Sequence, residues 1–111
     1  MSEIDSPTGN LFDRPVDLTE EVFTTLLARP EVTVERIVSL GQTTPPDCPY
    51  VQDHDEWVAV LAGAARVEIG GVEHALEAGD SLMIPAGAAH RVTYTDPVRP
   101  TVWIALHFRG G

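Results

Sequence analysis

The sequence contains no lysine, and all seven of its basic residues are arginines. Schiff-base chemistry through a lysine amine is therefore excluded. Basic residues are few beside the seventeen Asp and Glu, and the formal net charge is −10. There is no basic patch to neutralise phosphates, which argues against nucleic-acid binding. The same charge disfavours anionic membranes. The single cysteine, Cys48, has no internal partner, so no disulfide scaffold is expected. No apolar run approaches membrane-spanning length, and the acidic N-terminus does not read as a signal peptide. A soluble, cytoplasmic protein is the expectation.

What remains is a chain of 111 residues, 43% of them hydrophobic, which suits one domain with a core. Nine prolines and nine glycines suit frequent turns between short strands. Residues 1–9 read as a flexible tail and 10–111 as a single domain, with Leu11 and Phe12 as anchors for the arm. Residues 17–28, DLTEEVFTTLLA, predict the one helix. Asp17 and Glu20 have capping-box spacing, and Val22, Phe23, Leu26 and Leu27 form one apolar stripe. From Val32 onward the period is two. Strands are expected over 33–40, 56–61, 65–69, 72–76, 81–84, 90–95 and 101–108, with Gly70-Gly71 turning a hairpin. Seven or eight short strands with such turn spacing predict an antiparallel sandwich or closed barrel. The closing WIALHF is apolar on both faces and needs cover from the N-terminal segment or from a second subunit.

The stretch 79–94, GDSLMIPAGAAHRVTY, organises the rest. A glycine turn leads into a short strand stopped by Pro85. A corner of small residues follows, and then His90 opens a strand at its rim. Gly79, Pro85, Gly87 and His90 have the spacing of the second motif of the cupin family, and the chain resembles that family. Tyr94 stands where an Asn is usual. In the first motif Glu56 and Gly63 have the right six-residue gap, and Gly41 precedes them. The His-x-His pair is missing: its places hold Tyr50 and Gln52, or Pro49 and Val51. The segment YVQDHDEWVAVLAG, the PAGAAHRV stretch and WIALHF are similar to small single-domain bacterial cupins of mostly unassigned function. The resemblance implies an all-β, cupin-type (double-stranded β-helix, jelly-roll) barrel, to which the residue pattern adds one short N-terminal helix. It also implies an inward metal site, and only Glu56 and His90 carry over cleanly.

The residues themselves permit such a site. Residues 52, 54 and 56 share a face if the strand is regular, with same-face neighbours about 6.6–6.8 Å apart. Gln52, His54, Glu56 and His90 then form a candidate set for iron, zinc, manganese or nickel. A bulge before Glu56 would send His54 outward. Tyr50, Tyr94 and His107 are candidate pocket residues; Tyr94 shares parity with His90, and His107 with Trp103 and Ala105. His107 faces in or out according to which face of its strand is buried. His74 and Cys48 read as structural and loop residues, and Trp57 as facing away, under the helix or in a dimer interface. Three functions are open: a metal-dependent oxygenase- or isomerase-like enzyme, a metal-free small-molecule-binding module, and a regulatory partner domain. The expectation that joins these observations is a divalent-metal cupin that acts on or binds a small organic molecule and forms a homodimer, with reaction and substrate unassigned.

Overall fold

The computed structural model describes residues 8–109; the expected tail over 1–9 lies mostly outside the described residues. Eight strands follow in order: β1 (Val22–Arg29), β2 (Val32–Ser39), β3 (Asp55–Ala62), β4 (Ala64–Ile69), β5 (Val72–Glu77), β6 (Ser81–Ile84), β7 (His90–Thr95) and β8 (Thr101–Phe108). Two antiparallel sheets face one another, one ordered β1-β2-β8-β3-β6 and the other β5-β4-β7. Their inner faces share a core of Val58, Val60, Ala65, Val67, Trp103 and Ala105, with Leu76 closing one side. Burying one such aliphatic side chain contributes about 1.5–3 kcal/mol. No helix is present among the described residues, so none is long and apolar enough to cross a membrane.

The N-terminal helix expectation is therefore overturned. Asp17 accepts hydrogen bonds from the Thr19 amide at 2.9 Å and the Thr19 hydroxyl at 2.7 Å. That is a local turn which satisfies the aspartate without starting a helix. The chain then runs as β1 along the edge of β2. Val22, Phe23, Thr24 and Thr25 are β-branched or aromatic in sequence, and such side chains favour a pleated surface over a helix. The arm before β1 is held by Arg36, whose guanidinium donates to the carbonyls of Leu11 and Asp13. The side chains of Leu11 and Phe12 stay exposed, so the arm is anchored through its backbone.

Two backbone features position the interior. Gly63, between β3 and β4, has φ +85°, and a Cβ there would lie 2.4 Å from Thr101 Oγ1. Only glycine lets the chain cross to the second sheet so close to β8. In β7 the pairing with β4 slips between Arg66 and Val67, leaving Thr93 as an extra residue. This bulge reverses the alternation beyond it.

Candidate functional site

Between the sheets lies a cavity of about 270 Å³. Its apolar wall is Ile37, Val58, Val67, Ile84, Val92 and Trp103, and its polar groups include Glu21, Glu35, Gln52, Glu56, His90 and His107. Alternation explains the polar set. Glu56 stands opposite His107 across the β3–β8 ladder and opposite Ile84 across β3–β6. His90 pairs with Tyr50 through backbone hydrogen bonds in both directions, which brings the loop carrying Tyr50 and Gln52 against the start of β7. Gly87, at φ +82°, turns its amide to donate to the Gln52 carbonyl at 2.7 Å. The motif glycine thus fastens the Gln52 loop beside His90.

The buried polar groups are unevenly satisfied. His90 Nδ1 lies 3.0 Å from the Ala88 carbonyl, and a carbonyl only accepts, so Nδ1 carries the proton. His90 Nε2 lies 3.8 Å from Glu56 Oε1, too far for a hydrogen bond. The other Glu56 oxygen is 3.9 Å from His107 Nε2. Glu56 is only 8% exposed, and its carboxylate makes no hydrogen bond among the described residues. Among the described residues, Gln52 Oε1 and Arg36 Nε are the fully buried side-chain atoms without a hydrogen-bond partner, and Gln52 lines the cavity. Buried polar atoms left without partners each cost roughly 1–3 kcal/mol, which calls for something to satisfy them.

His107 is differently placed. Its Nε2 is 2.9 Å from Glu35 Oε1, and its Nδ1 is 2.9 Å from His54 Nε2. His54 Nδ1 in turn is 3.2 Å from Asp53, whose side chain is 81% exposed. Glu35, His107, His54 and Asp53 form a continuous hydrogen-bonded chain from the cavity to the surface. The Asp53 carboxyl is held below the usual range by its hydrogen bond from His54 and by the Arg109 charge. Glu21 sits where β1 begins and accepts from Ser39 Oγ, which itself accepts from Trp103 Nε1 at 3.1 Å. Burial pushes the Glu21 carboxyl up, and the Ser39 hydrogen bond offsets part of that.

Of the seven residues marked from sequence, Tyr50, Gln52, Glu56, His90 and His107 line the cavity. Tyr50 is half exposed at the mouth. His54 does not line it: a bend at Asp53-His54 breaks the alternation before β3, and the imidazole approaches His107 from the outer side. Tyr94 does not line it either. The bulge at Thr93 turns it outward, where Arg66 lies 5.0 Å from its ring centroid. Among the described residues, no group of three or more His, Cys, Asp or Glu side chains is arranged to hold a metal ion. Of the expected ligand set, Gln52, Glu56 and His90 line the cavity and His54 lies outside its lining. Glu35, Glu21 and Trp103 were not marked from sequence. Glu35 had a usable signal, being a carboxylate on the same strand face as Ile37.

The cupin-domain family Cupin_2 matches residues 38–107, and the chain belongs to it. A Ralstonia eutropha JMP134 protein named "putative mannose-6-phosphate isomerase" is similar over 95% of this chain and 100% of its own, at 42% identity and TM-score 0.89. A cupin superfamily protein of Desulfitobacterium hafniense DCB-2 shares the fold at 14% identity, TM-score 0.77, covering 96% of this chain and 93% of its own. A Thermus thermophilus protein does so at 20% identity, TM-score 0.73, covering 87% of this chain and 91% of its own. No curated protein sequence matches the chain.

Proposed function

We propose that this cupin binds a small organic molecule in the cavity between its sheets, without a metal, and pairs as a homodimer through the exposed β1 edge. The observation that supports binding is Gln52 Oε1, buried without a donor, and the Glu56 carboxylate, which has no hydrogen bond among the described residues, both beside an apolar lining. A few unsatisfied polar groups in an apolar cavity are the usual make-up of a ligand site. The observation that supports pairing is β1 itself, an edge strand with Phe23, Leu26 and Leu27 exposed. An exposed apolar edge is a surface for strand addition. Mannose 6-phosphate, which the name of the Ralstonia protein suggests, fits this chain poorly. A phosphate dianion seeks cationic donors, and no arginine lines the cavity.

A fragment screen by 1H–15N NMR tests this reading, with metal analysis alongside. Binding predicts saturable shifts at cavity residues such as Val67, His90 and Trp103 for some fragments, in protein free of metal. Absence of any cavity shift across the screen, mannose 6-phosphate included, overturns it. Near-stoichiometric iron, zinc, manganese or nickel, lost in both Glu56→Ala and His90→Ala, would establish a metal-dependent cupin in its place.

A further inference from the structure

We infer that the ligand is a small organic cation, an ammonium group carried on an apolar body. This rests on the binding reading above and names its chemistry.

Three carboxylates, Glu21, Glu35 and Glu56, line the cavity against two imidazoles, His90 and His107. With the carboxylates ionised, the lining stays negative even if both rings are charged. None of the seven arginines belongs to it, and the chain has no lysine. The field inside therefore attracts cations and repels anions.

Hydrogen bonding selects more narrowly. Glu56 is 8% exposed and His90 6%, and neither the Glu56 carboxylate nor His90 Nε2 is hydrogen-bonded among the described residues. Gln52 Oε1 is a buried acceptor with no donor. An ammonium head offers three N–H donors and no acceptor, whereas a hydroxyl offers one donor and a carboxylate none. Charge-assisted bonds to Glu56 would also be about twice as strong as neutral ones. The apolar lining, with Ile37, Val58 and Val92 each two residues along its strand from Glu35, Glu56 and His90, together with Trp103, has no polar requirement and suits a hydrocarbon body. At about 270 Å³ the cavity holds a compact ring or short chain, not a disaccharide or nucleotide.

Calorimetric titration at pH 7 with benzylamine, benzyl alcohol and benzoate separates these terms, since the three share one ring and differ in charge and donors. The expected result is saturable binding of benzylamine, at least tenfold weaker binding of benzyl alcohol, and none of benzoate. Glu56→Gln, nearly isosteric, should weaken benzylamine by about tenfold or more and benzyl alcohol by a smaller factor. Gln52→Leu, read in the same way, keeps the test decisive if Glu56→Gln does not fold. Equal or tighter binding of the alcohol or benzoate overturns the cation inference while the binding reading stands. So does a fragment screen with cavity hits and no binding of benzylamine. A screen with no cavity hit at all removes the binding reading and this inference together.

Discussion

β1 and β8 are both eight residues long and both rich in apolar side chains, yet their fates differ. β8 lies between β2 and β3, and Thr101, Val102, Trp103 and Ala105 are buried. β1 has a neighbour on one side only, and every residue after Val22 is exposed. Apolar content did not decide this; position in the sheet did. A central strand is covered on both ladders and packed from the facing sheet. An edge strand keeps a free ladder and must find its cover elsewhere. Both strands serve the cavity, β8 with the buried Trp103 and the partly buried His107 and β1 with Phe23.

The contrast can be broken at its strong end. Trp103→Ala removes the largest side chain of β8 and the indole hydrogen bond to Ser39. It should cost about 3–5 kcal/mol, read as a lower urea midpoint. Gly63→Ala attacks the crossing beside β8, where a Cβ would also meet Thr101 Cα at 2.6 Å. Its expected cost is about 1–3 kcal/mol, from backbone strain and the collision together. Leu26→Asp on β1 should change the stability of the folded chain by only about 0.5 kcal/mol. Sedimentation should nevertheless show the wild type as a dimer and this variant as a monomer.

The smallest effect concerns Glu21, just before β1. Burial raises its carboxyl above the usual value near 4.5. The folded state therefore holds this proton more tightly than the unfolded chain. That contribution to stability is fully present below the unfolded pKa and is lost as pH rises through the folded pKa. Glu21→Gln keeps an acceptor for Ser39 and should raise the melting temperature slightly at pH 7. The gain should disappear below about pH 4.5.

Strands β2 to β8 were legible in the sequence because period-two alternation and turn residues agreed there. Gly79, Pro85, Gly87 and His90 read correctly because a turn, a stop and a corner are local backbone demands. The N-terminal segment misled because VFTTLLA meets helix spacing and strand propensity equally well. An edge position settled it, and no local pattern encodes an edge. Tyr94 lies outside the cavity lining, and so does His54, for which the sequence leaves an outward alternative open; the reason is shared. Parity carries a prediction only while the strand is regular, and a bulge at Thr93 and a bend at Asp53-His54 each interrupt it. Glu56, His90 and His107 all line the cavity, and pairing is regular where they stand: the β3–β8 ladder slips only beyond Val60 and the β4–β7 ladder only beyond Val92; the sequence leaves the facing of His107 open. The hydrogen bond from His107 to Glu35 spans 72 residues and was beyond any local reading.

Ligand binding in the cavity between the sheets can be read from two signals. The chain has two tryptophans, Trp103 in the cavity wall and Trp57 outside it, so its NMR spectrum has two indole N–H signals. Trp57→Phe assigns them. Titration with benzylamine should move the Trp103 signal saturably and leave the Trp57 signal in place. A fixed Trp103 signal at saturating benzylamine, or movement of Trp57 alone, would contradict the account.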